Sequence, residues 1–146
     1  MAYKVKNCIC LFFALAFCLL ACVGVRAYHT VRLSGLQGER VFYLDSASSQ
    51  GFRKTELSIL DIPRVKGECV KMDLEGKEGG MYALSLISSF DGEVLFIEEA
   101  CGRTSYYAYA KGLGEGIWLY GKKVNLHVAV GENTCVVGTP IIFDGF

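Results

Sequence analysis

The chain has 146 residues with 15 basic and 15 acidic side chains, so its formal net charge is zero. That length fits one domain. No basic cluster is larger than Arg53-Lys54 or Lys122-Lys123. Binding to nucleic-acid phosphates needs concentrated Lys and Arg, so we do not expect a nucleic acid as a partner.

The first 27 residues are predicted to be a signal peptide. Lys4 and Lys6 precede an apolar run over residues 8–25, and Val25-Arg26-Ala27 has the small-residue spacing of a signal-peptidase site. We expect cleavage after Ala27, which leaves a secreted domain of residues 28–146. Removing the leader takes away three basic residues and no acidic one, so 12 basic and 15 acidic residues remain and the net charge is about −3.

Two other readings of the leader are open. The apolar run is about long enough to span a bilayer, so an uncleaved signal anchor is one alternative. Leu19-Leu20-Ala21-Cys22 also resembles a bacterial lipobox, in which Cys22 would be lipidated. Only these two alternatives would attach the protein to a membrane.

The first part of the mature chain reads as short strands. Residues 28–34 alternate between polar and apolar side chains, and residues 40–45 are apolar through their middle. Residues 46–51 are small and polar, which indicates a surface loop. Residues 52–62 are predicted to be extended, and Pro63 ends that strand because it lacks a backbone donor.

Residues 68–101 are predicted to form a three-stranded meander. Asp91-Gly92 lies between two apolar runs and suits the positive φ angles of a tight hairpin, and residues 76–80 read as a looser turn. In this register one face collects apolar side chains from all three strands. They are Val70, Met72, Leu74, Leu84, Leu86, Leu95 and Ile97.

The rest of the chain continues the β pattern. Residues 103–111 are rich in tyrosine, residues 117–120 and 124–130 form a hairpin around Gly121-Lys122, and residues 136–143 read as a last strand. No stretch shows apolar residues at helical spacing over three turns. Nine or ten short strands separated by turns predict an all-β fold. The expected architecture is a single antiparallel β-sandwich, or a small barrel, of about nine short strands.

The mature chain keeps three cysteines, Cys69, Cys101 and Cys135, in an oxidising compartment. Cys101 lies on the core face of the predicted meander and Cys69 on the opposite face, so we expect a bridge between Cys101 and Cys135. Cys69 would then be reactive or would join a second chain as a disulfide-linked dimer. Buried reduced thiols are the alternative.

The sequence offers little for catalysis, and no metal or cofactor is predicted. It has no Cys-x-x-Cys or His-x-x-x-His pattern of the kind that binds zinc. Glu98-Glu99, with Asp73 or Glu93 as a partner, could supply the paired carboxylates of a glycoside hydrolase. A solvated acidic face explains the carboxylates between Glu93 and Glu99 more simply.

One aromatic cluster suggests binding. In the Gly121-Lys122 register, Trp118 and Tyr120 lie on the face opposite Leu119 and Val124. Exposed aromatic patches mark interaction sites. The predicted ligand-binding residues are Trp118, Tyr120, Asn125, His127, Tyr107 and Tyr109. The competing interpretation is that these residues form the inner face.

The leading hypothesis for function is a secreted, non-enzymatic β-sandwich that binds a protein or glycan through this face. One alternative is a secreted glycoside hydrolase that uses the carboxylates near Glu93 to Glu99. The other is a small lipid-binding carrier, which the high apolar fraction of 52% suggests.

Overall fold

The computed structural model describes residues 2–45 and 52–143, with side chains for residues 9–25, 31–45 and 53–143. The loop predicted at residues 46–51 therefore lies outside the described residues. The chain begins with helix α1 (Ala2–Thr30). Nearly all of its described apolar side chains, at residues 9–25, are exposed, and Phe12, Phe17 and Leu20 keep 70–73% of their surface. Among the described residues, no helix is both long enough and apolar enough to cross a membrane.

The described chain after α1 is mostly β, as the sequence predicts. Nine strands and one more helix follow: β1 (Glu39–Leu44), β2 (Phe52–Lys54), β3 (Val65–Asp73), α2 (Gly79–Ser89), β4 (Gly92–Ala100), β5 (Arg103–Ala110), β6 (Ile117–Leu119), β7 (Lys122–Val124), β8 (Leu126–Val130) and β9 (Thr134–Thr139). Short 3-10 helices lie at Ile62–Arg64 and Lys111–Leu113.

The described strands form two antiparallel sheets and no closed barrel. The large sheet has seven strands in the order β2-β1-β3-β9-β8-β5-β4, and the small one is the hairpin β6-β7. β3 pairs with β1 and with β9, whose paired residues are 61 to 71 positions further along the chain. The strand order therefore depends on contacts that are far apart in sequence.

Helix α2 replaces the middle strand of the predicted meander, so that part of the prediction is wrong. Its buried residues Ala83, Leu86 and Ile87 have the i, i+3, i+4 spacing of a helix face. They pack against the sheet in one core cluster with Val70, Met72 and Leu74. Leu84, which the meander placed in the core, is 49% exposed. The Asp91-Gly92 turn is real, but it connects α2 to β4, with Asp91 at φ 51°.

The opposite face of the large sheet is also covered at its centre. Val41, Tyr43, Cys69, Ala129, Val136 and Ile142 form a second cluster there. Cys69, Ala129 and Val136 each alternate along their strands with members of the first cluster, so the two clusters lie on opposite faces. The segment after β9 can pack on this face because Gly138 has no side chain. A Cβ atom at Gly138 would collide with Ile142.

A buried carboxylate anchors the segment that follows α1. Glu68 is 1% exposed, and its Oε2 accepts hydrogen bonds from the backbone N–H groups of Arg32 and Leu33 at 2.8 and 3.1 Å. Its Oε1 lies 3.3 Å from Nε of Arg40. The strand predicted at residues 28–34 is therefore wrong, because α1 continues to Thr30 and the next N–H groups bind a side chain instead of a sheet.

The strand predicted over residues 52–62 is only partly present. β2 ends at Lys54, and the following loop is braced by Asp61. The Asp61 carboxylate accepts hydrogen bonds from Lys54 Nζ at 2.7 and 2.8 Å and from the Ser58 N–H and hydroxyl at 2.9 and 2.8 Å. These bonds, led by the one from Lys54, lower the pKa of Asp61 to about 2.

Candidate binding surface

The β6-β7 hairpin presents two aromatic side chains to solvent. Leu119 pairs with Lys122, so Tyr120-Gly121 is a two-residue turn. Both turn residues have positive φ, 49° and 75°, which is the type I′ geometry. Trp118 is 72% exposed and Tyr120 is 81% exposed. The predicted Gly121-Lys122 turn is displaced by one residue, but Trp118 and Tyr120 do lie on the surface.

The hairpin is held against the edge of the large sheet by Lys122 and Tyr120. Lys122 Nζ donates a hydrogen bond of 2.6 Å to the carbonyl of Leu95 and lies 5.9 Å from the centre of the Phe96 ring. Tyr120 meets Phe96 edge to face, with ring centroids 5.5 Å apart. The exposed tip therefore has a defined position on the sheet.

Phe96 begins a row of stacked rings across three strands. Phe96 and Tyr107 are partners in the β4-β5 register and stack at 4.4 Å with an interplanar angle of 15°. Tyr107 and His127 are partners in the β5-β8 register and stack at 4.3 Å and 18°. Burial, and next a hydrogen bond to the Glu98 carboxylate, raise the pKa of the Tyr107 hydroxyl above its ordinary value.

Tyr109 lies beside the other end of the hairpin. Trp118 pairs with Lys123 across β6-β7, and Lys123 Nζ is 2.7 Å from Oε2 of Glu115. The hydrogen bond to Glu115 is the main cause that raises the pKa of Lys123, and the Tyr109 hydroxyl contributes electrostatically. We call the set of Phe96, Tyr107, Tyr109, Trp118 and Tyr120 the aromatic surface.

Asn125 does not belong to this surface, although the sequence places it there. It is fully buried at the point where the chain leaves the small sheet for the large one. Its Oδ1 accepts a hydrogen bond from the Ala110 N–H at 2.7 Å, and its Nδ2 donates to the carbonyls of Ala110 and Gly114 at 2.8 and 2.9 Å. The amide is therefore occupied by the backbone.

His127 is also buried instead of solvated. It is 7% exposed, with Tyr107 stacked on its ring, and its Nδ1 accepts a hydrogen bond from the Ile142 N–H at 3.3 Å. Burial lowers its pKa to about 4, so the imidazole is neutral at physiological pH. His127 thus supports the aromatic surface from beneath.

The predicted Cys101–Cys135 bridge is not present. None of the described cysteines is joined to another by a disulfide. Cys135 on β9 pairs with Val130, which pairs with Thr104, and Cys101 lies in the turn between β4 and β5. Two to three strand spacings separate them, about 10–14 Å, whereas a disulfide needs Cα atoms within about 7 Å. Of the three cysteines after residue 27, Cys101 is exposed, and Cys69, expected to be reactive, is buried.

The acidic residues considered for hydrolysis are far apart. Glu93 and Glu98 are separated by four paired positions on β4, about 13 Å, and Glu98 and Glu99 point to opposite faces. Asp73 is on β3, four strands from β4, or about 19 Å. The carboxylates of a glycosidase pair are about 5–9.5 Å apart. Within the described residues, no three His, Cys, Asp or Glu side chains are arranged to hold a metal ion.

Comparison with known proteins shows no significant match to any protein family, curated protein or solved structure.

Phe96 and Lys122, which connect the hairpin to the sheet, are absent from the binding residues predicted from the sequence. Phe96 is one residue from a bulge at Leu95 that reverses the alternation of β4. Cross-strand pairing of Phe96 with Tyr107 is the signal that would have identified it.

Proposed function

We propose that the protein is a secreted, non-enzymatic, sandwich-like β module that binds a protein or glycan partner through the aromatic surface. The observation that carries the proposal is the exposure of Trp118 and Tyr120, at 72% and 81%, on a hairpin held in place by Lys122 and Phe96. Rigid Trp and Tyr side chains supply a large contact area and lose little conformational entropy on binding. They are also the residues most often found at binding hot spots.

The backbone conformation of Tyr120 supports a role for its side chain in binding. Its φ of 49° is in the left-handed region, which Asn and Gly adopt at lower cost than tyrosine. A mostly exposed ring recovers little of that cost through packing. Strain of this kind, kept at an exposed position, is typical of a residue retained for binding.

Secretion is supported by the separation of α1 from the core. Nearly all the described apolar side chains of α1 are exposed, while the first residue that is fully buried after the helix is Leu33. We expect the mature protein to begin at Tyr28 and to carry no lipid. N-terminal sequencing and intact mass test this: a start at Cys22 with added acyl mass indicates a lipoprotein, and an intact leader indicates an anchor.

The alternative functions have less support. The carboxylate separations above exceed those of a glycosidase pair. For a lipid carrier, the residues that would line an interior cavity, such as Val70, Val128 and Val137, instead pack together in the core under α2. Hydrolysis of chromogenic glycosides would support the glycoside hydrolase instead. Lipid extracted from the purified protein would support the lipid carrier.

The test is a glycan array combined with a pull-down from native extracellular material. Trp118→Ala should abolish recovery of the specific partner, because it removes the larger of the two exposed rings on the hairpin. Leu60→Ala is the matched control, since Leu60 is 84% exposed and lies on the loop braced by Asp61, apart from the aromatic surface. A partner that binds Trp118→Ala as well as it binds the unmodified protein would refute the proposal.

A further inference from the structure

We propose that the partner is a protein that adds an extended, basic segment as a new strand along the free edge of β4. This inference rests on the proposed function, because it names the class of partner and the position it takes beside the aromatic surface. It is carried by three properties of β4: its place at the edge of the sheet, its charge, and its contact with the exposed hairpin.

β4 is a long edge strand. It has nine residues, lies at the end of the seven-stranded sheet, and in the described part of the chain pairs only with β5, although its Leu95 carbonyl accepts the hydrogen bond from Lys122. Ile97, Glu98, Glu99 and Ala100 are all exposed. The free backbone groups of an edge strand are a template for an extended peptide, which gains affinity from main-chain hydrogen bonds and specificity from alternate side chains.

The charge of β4 selects the kind of strand that can pair with it. β4 carries Glu93, Glu98 and Glu99 and no basic residue. Lys or Arg opposite these carboxylates on a new strand would stabilise the pairing, and acidic residues would oppose it. The complementary partner is therefore a basic segment.

A second copy of the chain fits this edge poorly. If two β4 strands paired antiparallel about Phe96, Glu93 of each copy would lie opposite Glu98 of the other, because the bulge at Leu95 shifts the register by one residue. Like charges placed directly opposite each other destabilise a strand pair. The bulge at Leu95 and the carboxylates thus discourage self-association while leaving the edge open to a strand of opposite charge.

The aromatic surface continues from this edge. Phe96 lies in the middle of β4, stacked on Tyr107 and in edge contact with Tyr120. Side chains of an added strand that point to this face would meet Phe96 and Tyr120. The edge would supply backbone pairing, and the rings would supply contact area.

The test uses a defined probe, a capped ten-residue peptide of alternating Lys and Thr. A peptide of equal charge with every Thr replaced by Pro, which lacks a backbone donor, controls for simple electrostatic attraction. We expect the Lys-Thr peptide to bind about tenfold more tightly than the Pro peptide, a difference of about 1.4 kcal/mol. Amide hydrogen exchange should slow along β4, with no comparable slowing at β2 on the opposite edge.

A pair of double variants tests the charge argument. Glu93→Lys with Glu99→Lys should weaken binding about tenfold or more, and it leaves the Glu98–Tyr107 hydrogen bond in place. Glu56→Lys with Glu132→Lys changes the net charge equally at exposed positions away from β4 and should have no comparable effect. Equal binding of the two peptides, no binding of either, or equal effects of the two double variants would overturn the inference.

The same variants separate failure of this inference from failure of the proposed function. A native partner that requires Trp118 but is indifferent to Glu93 and Glu99 would leave the proposed function standing and overturn strand addition at β4. A partner that is a glycan alone would do the same. A partner that requires neither Trp118 nor these carboxylates would overturn both.

Discussion

The side chain of Asn125 makes the two hydrogen bonds to Ala110 that a residue of a neighbouring strand would make. Oδ1 accepts from the Ala110 N–H at 2.7 Å, and Nδ2 donates to the Ala110 carbonyl at 2.8 Å. The Asn125 N–H meanwhile donates to Ala108 at 3.1 Å. The side-chain amide thus extends the β5-β8 hydrogen-bond ladder by one residue, at the point where the backbone passes from β7 to β8.

Replacing Asn125 by Ala should therefore destabilise the protein. The change leaves the buried N–H and C=O of Ala110 without their partners, and each buried unsatisfied group costs about 1–3 kcal/mol. We expect a loss of roughly 2–4 kcal/mol in denaturant melts. Asn133→Ala is the control, because that side chain is exposed in a turn and should change stability by less than about 0.5 kcal/mol. Similar small losses in both variants would contradict this account.

Trp118 and Leu126 give opposite predictions for the same kind of truncation. Trp118→Ala should change the free energy of unfolding by no more than about 0.5 kcal/mol, because the ring is mostly in solvent. Leu126→Ala should cost about 2–5 kcal/mol, because Leu126 is fully buried under α2. A severe loss for Trp118→Ala with a neutral Leu126→Ala would reverse the assignment of the faces and remove the proposed site.

Tyr120→Asn should separate stability from binding. Asparagine adopts positive φ more readily than tyrosine, and the relief offsets the lost edge contact with Phe96. Stability should stay the same or rise, within about 1 kcal/mol, while partner binding falls. Tyr120→Val is the reference variant, since a β-branched residue at this φ should lower the melting midpoint. Lower stability in Tyr120→Asn than in Tyr120→Val would show that φ is not what limits this position.

His127 should make stability depend on pH. Its pKa is lowered to about 4 in the folded protein because the ring is buried, whereas an unfolded histidine titrates near 6.5. The unfolded state therefore takes up a proton first as pH falls. Stability should be unaffected above about pH 6.5, fall by up to about 3 kcal/mol between 6.5 and 4, and level off below.

Denaturant melts across this range should be compared with those of His127→Phe. Phenylalanine keeps a ring for stacking on Tyr107 but cannot titrate, so the variant should lose this part of the slope. The carboxylates that also titrate near pH 4 are shared by both proteins, so their contributions cancel in the comparison. An identical slope in the two proteins would show that the imidazole is accessible to protons.

Of the three thiols after residue 27, only Cys101 should be alkylated rapidly in the native state. It is exposed, whereas Cys69 and Cys135 are buried, and burial raises the pKa of Cys135 to about 12. A buried thiol with a raised pKa is a poor nucleophile. Peptide mapping after brief alkylation should find the label on Cys101, and denatured protein should be labelled at all three. Native protection of Cys101 together with Cys135 would revive the bridge expected from the sequence.

The sequence by itself determined the features that depend on near neighbours. Alternation along residues 70–74 correctly predicts buried Val70, Met72 and Leu74, and the tyrosine-rich segment correctly predicts β5. The preference of Asp-Gly for turns correctly places a reversal at Asp91. Alternation along the hairpin puts Trp118 and Tyr120 on one face, but it does not decide whether that face is exposed. These features need only the two-residue period of a strand and the local chemistry of a turn.

Only the tertiary structure decided the helix, the order of the strands and what covers each face. The short apolar run that forms α2 fits a strand as well as a helix by sequence pattern alone. Its packing across the sheet decides for the helix. Asn125 becomes a core residue because Ala110, brought beside it by the sheet, needs hydrogen-bond partners. His127 becomes buried because Gly138, its partner on β9, has no side chain, so that Ile142 can pack over the His127 ring. Each outcome depends on groups distant in sequence, whose positions no local pattern specifies.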